Sequence, residues 1–192
     1  MAVIGMTIGF SFLAAMVAGP LLSQWIGVPG IFWLTAVLAI AGIGVLFAVV
    51  PTPKKSSFHR DAEPVPAKFS EVLRDGELLR LDLGIFVLHL ILTSSFVAIP
   101  LTLRDTGFAG ADHWQLYLPV MVVAMALAVP FIIVAEVKRQ MKSVFIGAVA
   151  ALFLAQLLLA WDHHGVISIG VLMLLFFSAF NLLEATLPSL VS

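Results

Sequence analysis

Two residues whose side chains can exchange protons lie inside long apolar stretches of the chain. Glu184 stands in FFSAFNLLEATLPSL, residues 176 to 190, and Ser178 and Asn181 precede it at three-residue spacing, so the three side chains share one helix face. His89 stands in FVLHLIL, residues 86 to 92. A carboxylate inside a membrane marks a proton or substrate site, and imidazole titrates near neutral pH. These residue types indicate proton exchange within a membrane.

The expected depths of the two side chains differ. At the helical rise of about 1.5 Å per residue, Glu184 lies about 28 Å inward from Gly165, near the far edge of a hydrocarbon layer of about 30 Å. There it is a proton-coupling group, meets a basic loop, or reaches water by snorkelling. His89 lies about 10 Å along its helix beyond Asp82. It is either a proton-coupling group or a neutral histidine bonded to the helix backbone.

Other polar side chains in the apolar stretches are few. Those outside the Glu184 face include Thr93, Ser94 and Gln156. The face that carries Glu184 is expected to meet a cavity or another helix, because polar groups are unfavourable against lipid. The candidates for proton coupling or for lining a cavity are therefore His89, Asn181, Ser178 and Gln156.

Composition excludes several classes of protein. Hydrophobic residues make up 61 % of the 192 residues and charged residues only 11 %, as in integral membrane proteins. The net charge of −1 shows no excess of basic residues that would bind nucleic acid. The absence of cysteine excludes thiolate metal sites and cysteine nucleophiles. The segment WDHHG, residues 161 to 165, holds three possible metal ligands, but adjacent residues do not readily converge on one ion. We therefore predict no metal and no cofactor.

The apolar stretches predict the transmembrane helices. They cover residues 1–53, 83–103, 113–135, 143–161 and 163–183, and each approaches or exceeds the roughly 20 residues that cross a bilayer as a helix. Gly27, Pro29 and Gly30 divide the first into about 2–24 and 31–51. We therefore predict an all-α, polytopic membrane protein with six transmembrane helices.

Proline content and the distribution of charged residues predict the connecting segments and their side of the membrane. Residues 1–51 hold two predicted helices, 52–79 form a proline-rich linker with a possible surface helix at 68–75, and 80–192 hold four helices. Nine of the ten Lys and Arg residues lie in 54–80 and 138–142, so the positive-inside rule places these two regions and both chain ends in the cytoplasm. Apolar sequence directly follows Met1 and nearly reaches Ser192, which predicts a chain cut at both ends.

One motif in the first helix connects the chain to a known family. Ala15, Gly19 and Pro20 resemble the G-x-x-x-G-P core of the antiporter motif in the fifth helix of the major facilitator superfamily. The segments FVLHLIL, AEVKRQMKSVF and FNLLEATLPSL resemble the YajR-like drug-efflux branch of that family. The whole chain is similar to helices five to ten of a twelve-helix transporter. This resemblance implies a partial major facilitator fold, with the linker joining the two halves.

The resemblance also implies a function and its partners. It implies part of a secondary active transporter in a bacterial inner membrane, which exports small amphipathic compounds by alternating access in exchange for protons. Its partners are the lipid bilayer, a small-molecule substrate, protons and the remaining helices of the transporter. In such a transporter Glu184 pairs with Lys138 or Arg139 as a cytoplasmic gate, with Glu136 as the acidic residue of the loop. Two other hypotheses stay open: a subunit or remnant without transport activity, and a membrane enzyme using His89 and Glu184.

Overall fold

The computed structural model describes residues 2–51, 70, 73–161 and 165–191, with side chains for 11–12, 14–15, 17–51, 70, 73–135, 137–161 and 165–187. Residues 52–69, 71–72 and 162–164 lie outside this description, and with them half of the possible surface helix at 68–75. All regular secondary structure within the described residues is helical, and these residues contain no strand. The prediction of an all-α fold is confirmed.

Five α-helices make up the described part of the chain. They are α1 (Ala2–Ala48), α2 (Gly76–Asp105), α3 (His113–Val137), α4 (Met141–Trp161) and α5 (Val166–Val191). A short 3-10 helix, Gly110–Asp112, lies between α2 and α3. Helices α2 to α5 contain the last four apolar stretches, apart from residues 163–165. The positions of the apolar stretches therefore predicted the positions of α2 to α5 well.

The predicted number of six transmembrane helices is wrong by one. Five helices in the described residues are long and apolar enough to cross a membrane, and the first of these spans is Val17–Ala48. The predicted break near Gly27 does interrupt the backbone, since Gly27 has φ 68° and ψ 172°. Residues on both sides of Gly27 keep helical geometry, so α1 consists of two helical segments joined by a kink at Gly27, with Pro29 in the first turn of the second segment, where a proline is tolerated.

The ends of α2 follow from local side-chain chemistry. The carboxylate of Asp75 accepts hydrogen bonds from the backbone N–H groups of Glu77 at 3.0 Å and Leu78 at 3.3 Å, which caps the helix. Glu77 in the first turn and Arg104 in the last turn suit the helix dipole. The helix therefore begins at Gly76, several residues before the apolar stretch that predicted it.

Helix α5 lies at the centre of the bundle and packs against α2, α3 and α4. Its buried side chains recur every three or four residues, as Ile169, Met173, Phe176 and Phe177 show. Close packing against α3 requires Gly170, because a Cβ atom there would lie 2.9 Å from Leu116 Cδ1. The core of the bundle is therefore built around the helix that carries Glu184.

Helix α1 is different, because none of its described side chains is buried. Large apolar residues on it, such as Trp25, Phe32 and Phe47, are more than 70 % exposed. A soluble protein does not expose so much apolar surface, whereas lipid or neighbouring membrane helices cover it at no cost. The protein is therefore a multi-pass integral membrane protein.

Candidate functional site

His89 on α2 and Glu184 on α5 meet in the structure. His89 Nε2 lies 3.6 Å from Glu184 Oε2, and His89 Nδ1 lies 2.9 Å from the carbonyl oxygen of Ile85. A carbonyl oxygen only accepts hydrogen bonds, so Nδ1 carries the hydrogen and Nε2 of the neutral ring presents a lone pair to the carboxylate. The pair is therefore attractive only when a proton sits on Nε2 or on the carboxylate.

Three contacts, including the one between His89 and Glu184, define the register of α2 against α5. Leu187 Cδ2 lies 3.5 Å from the position of a Cβ atom on Gly84, His89 approaches Glu184, and the ring of Phe96 lies 5.9 Å from the ring of Phe177. The contacts run along the two helices in opposite directions, as expected for antiparallel neighbours. His89 and Glu184 therefore meet through the register of two long helices.

The expected difference in depth between these residues is wrong. Counting from Asp82 placed His89 well inside the membrane, while counting from Gly165 placed Glu184 near its edge, yet their side chains are in contact. Helix α2 begins six residues before Asp82, at Gly76, and α5 continues to Val191, seven residues beyond Glu184, so the two counts do not share a common reference level. Both side chains remain close to half exposed within this chain, at 49 % and 46 %.

Aromatic rings surround the pair on one side. Phe180, one turn before Glu184, meets the ring of His89 edge-on with 6.0 Å between centroids. Phe180 stacks on Phe176, which contacts Phe177. The rings stiffen the packing of α5 beside the pair and keep this side apolar.

The other polar residues on the face of Glu184 differ in their bonding. Ser178 donates its hydroxyl hydrogen to the carbonyl oxygen of Leu174 at 2.7 Å, so it is satisfied within α5. Asn181 Nδ2 is buried and has no hydrogen-bond partner among the described residues. This amide therefore has unused hydrogen-bonding capacity one turn from Glu184.

Tyr117 is a functional candidate that the sequence analysis missed. It is the only tyrosine of the chain, is 5 % exposed, and its hydroxyl has no partner among the residues that the structure describes. Its ring stacks on Phe96 with 6.0 Å between centroids. A single phenol in an otherwise apolar helix was the signal available in the sequence.

The Tyr117→Phe variant is expected to raise the free energy of unfolding by about 1 kcal/mol, because it removes an unpaired buried hydroxyl and keeps the stacked ring. Thermal unfolding of the purified chain in detergent measures the change. Ser178→Ala is the matched control, since its hydroxyl is bonded and its loss should not stabilise the protein. A lower stability of Tyr117→Phe would show that the hydroxyl makes a bond that supports the fold.

Gln156 lies beside a cavity. Its Nε2 donates a hydrogen bond to Ser95 Oγ at 3.0 Å, which links α4 to α2. The two residues line a cavity of about 130 Å³ between α2, α4 and α5. The sequence analysis missed Ser95, since nothing in the adjacent pair Ser94 and Ser95 shows which hydroxyl faces the neighbouring helix. Thr93 instead bonds within α2, to the carbonyl oxygen of His89 at 2.8 Å.

The basic residues of the predicted cytoplasmic gate lie at the connection between α3 and α4. Lys138 and Arg139 are exposed, and Arg139 has φ 53°, a left-handed conformation that is uncommon outside glycine. Among the described residues, neither basic side chain lies within 4.0 Å of a Glu184 oxygen. The side chain of Glu136 lies outside the description. The gate therefore stays a prediction.

The motif in the first helix lies on an open surface. Ala15 is exposed, and among the described residues no atom beyond the adjoining helix backbone and the chain neighbours lies within 4 Å of the position of a Cβ atom on Gly19. Pro20 lies inside α1, and the Ser23 hydroxyl donates to its carbonyl oxygen at 2.8 Å. Close helix packing along this motif is likewise still a prediction.

Comparison with known proteins identifies the family. The model of the Major Facilitator Superfamily matches residues 1–192, the whole chain. The inner membrane transport protein YajR of Escherichia coli strain K12 is 44 % identical over 194 residues, which cover 100 % of this chain and 42 % of that protein. An uncharacterized transporter of Buchnera aphidicola subsp. Acyrthosiphon pisum is 26 % identical over 191 residues, which cover 98 % of this chain and 48 % of that protein.

No solved structure gives a significant match. The chain spans less than half the length of each of these two relatives. Both are named as transporters, and neither is named as an enzyme, which argues against the hypothesis of a membrane enzyme. With a family match over its full length and a relative that is 44 % identical, this chain belongs to the major facilitator superfamily.

Proposed function

We propose that the chain forms the central part of a secondary active transporter that exports small amphipathic compounds in exchange for protons. The observation that carries this proposal is the contact between His89 and Glu184, two groups able to bind protons on neighbouring helices of a transporter fold. Transport by alternating access requires helices beyond this chain, because the chain covers 42 % of its transporter relative YajR. The proposed location is a bacterial inner membrane, with both chain ends in the cytoplasm.

The geometry suggests how the pair would couple proton movement to transport. With one proton between them, His89 and Glu184 attract each other and hold α2 against α5. Without it, a carboxylate faces a ring lone pair and the attraction is lost. Release or uptake of one proton therefore changes the contact between two helices of the bundle. Asn181, one turn away, provides a hydrogen-bond donor to the same region.

The cytoplasmic gate of this proposal uses Glu184 a second time. When the pair loses its proton, the carboxylate is available to the basic side chains of Lys138 and Arg139, with Glu136 in the same loop. Bistable ion pairs of this kind exchange partners as helices rock. The motif of Ala15, Gly19 and Pro20 would pack against a helix outside this chain, which fits the open surface at Gly19.

A chimera tests the proposed function. The 192 residues replace the matched segment of E. coli YajR, and inside-out membrane vesicles are energised to make their interior acidic. Proton-coupled exchange would let amphipathic compounds such as ethidium enter while protons leave, so their addition should partly collapse the pH gradient. Vesicles without the chimera give the background. A chimera that inserts stably and moves no compound that the parent moves would contradict the proposal.

An interaction subunit without transport activity is the second candidate. The observation that favours it is the surface of α1, on which no described side chain is buried. Such a surface suits other membrane helices as well as lipid. This candidate predicts that the chimera is inactive although the chain inserts into the membrane.

A further inference from the structure

The cavity between α2, α4 and α5 is lined by neither His89 nor Glu184. Eight residues line it: Ser94, Ser95, Ala98, Ile99, Thr102, Gln156, Leu159 and Ile169. Half of them are polar and half apolar, and none is charged. A cavity with this lining offers both hydrogen bonds and apolar contact.

Much of the hydrogen-bonding capacity in the cavity is unused. The hydroxyls of Ser94 and Thr102 donate to the carbonyl oxygens of Leu90 at 2.8 Å and Ala98 at 3.1 Å, which leaves their oxygen lone pairs free to accept. Gln156 uses one amide hydrogen for Ser95, and its carbonyl oxygen has no partner within the described residues. Polar groups are unfavourable in a membrane helix unless they find partners. The lining therefore favours a guest that donates a hydrogen bond.

Size and charge narrow the class of guest. A volume of about 130 Å³ compares with the apolar protein cavity of about 150 Å³ that holds one benzene molecule. An ion would find no opposite charge among the lining side chains, and an unpaired charge is strongly unfavourable in a medium of low dielectric constant. The guest is therefore small, neutral and partly apolar.

We propose that this cavity binds one small neutral molecule through a hydroxyl or primary amide group, with a short apolar body against Ile99, Leu159 and Ile169. The amide or hydroxyl of the guest donates to Gln156 Oε1, and the hydroxyl oxygens of Ser94 and Thr102 are further acceptors. This binding does not depend on the proposed transport. It is measurable on the 192-residue chain by itself.

The absence of cysteine makes a direct test possible. The Ala98→Cys variant places a single thiol in the cavity wall, at a position that a reagent can reach. Its rate of modification by methyl methanethiosulfonate is measured by mass spectrometry for the chain in detergent. The probes are butyramide, 1-butanol, butyrate and butylammonium, which share a four-carbon body and differ in the head group. We expect the two neutral probes to slow modification at least threefold and the two charged probes to leave it within 1.5-fold.

Two variants and one control decide the interpretation. Ala109→Cys, an exposed residue in the loop after α2, should show no protection by any probe. In the Ala98→Cys background, Gln156→Leu should abolish protection, and its helicity by circular dichroism verifies that it folds. Ser94→Ala keeps the bond between Gln156 and Ser95 and should reduce protection about twofold, so it serves if Gln156→Leu does not fold.

Three results would overturn the proposal. Protection by none of the probes would mean that the cavity does not bind small neutral amides or alcohols. Equal protection by neutral and charged probes would show that head-group chemistry does not select the guest. Undiminished protection in both Gln156→Leu and Ser94→Ala would show that the polar lining does not bind it.

Discussion

Replacing Glu184 with glutamine in the chimera is expected to lower substrate-triggered proton flux at least about tenfold, a difference of about 1.4 kcal/mol in the activation barrier. Glutamine keeps the shape of glutamate but cannot bind and release a proton, so the contact with His89 no longer responds to proton movement. His89→Gln should produce a similar loss. Collapse of the pH gradient in inside-out vesicles measures both.

The double variant distinguishes two residues that share one proton from two residues that act independently. If one proton is shared, His89→Gln with Glu184→Gln should lose no more flux than either single variant, because residues that act as a unit are not additive. Glu77→Gln is the matched control, since Glu77 is highly exposed and forms a surface ion pair with Arg80 at 2.6 Å. Its flux should stay within about twofold of the unsubstituted chimera, as the small contribution of surface ion pairs implies.

The same set of variants distinguishes the proton site from the gate. If Glu184 acts chiefly with the basic loop, Arg139→Gln should reproduce the loss and His89→Gln should not. Full flux in Glu184→Gln would remove both roles.

The Phe176→Ala variant is expected to lower the free energy of unfolding by about 3 kcal/mol, the low end for truncation of a buried aromatic side chain. Phe176 is fully buried and its ring contacts those of Phe177 and Phe180. In a membrane the loss comes from the cavity and the missing dispersion contacts, because lipid solvates an apolar side chain as well as the protein core does.

Phe153→Ala provides the control for this experiment. Phe153 lies on α4 and is 67 % exposed, so its truncation leaves no cavity and should change stability by less than about 0.5 kcal/mol. Reversible unfolding in mixed micelles with increasing sodium dodecyl sulfate measures both variants. Equal effects of the two substitutions would contradict the central position of α5.

The sequence predicts the helices well for a physical reason. A segment that crosses lipid must satisfy its backbone hydrogen bonds internally, so about 20 apolar residues leave little alternative to a helix. The positions of α3 and α4 follow directly from such stretches. The first helix is harder, because Gly27 and Pro29 signal a break without showing whether the chain turns back or continues as a kinked helix.

The relative positions of helices could not be read in the same way. Counting residues gives the depth of each side chain along its own helix, but the offset between α2 and α5 depends on how their side chains pack. For that reason the contact between His89 and Glu184 was not predicted, although both residues were recognised as candidates. Ser95 and Tyr117 were missed because a hydroxyl in an apolar helix does not show which neighbour it faces. The roles of Arg139 and Gly19 remain predictions.

The backbone at Gly27 has a mechanical consequence for α1. A continuous ladder of hydrogen bonds makes a helix stiff against twisting, so rotation at one end is carried to the other. Gly27 leaves the helical dihedral angles, and Pro29 has no N–H group to donate, so the ladder is interrupted between the two apolar stretches. Rotation of the segment before Gly27 is therefore poorly transmitted to residues 30–48. The two segments of α1 can rotate about the helix axis independently of each other.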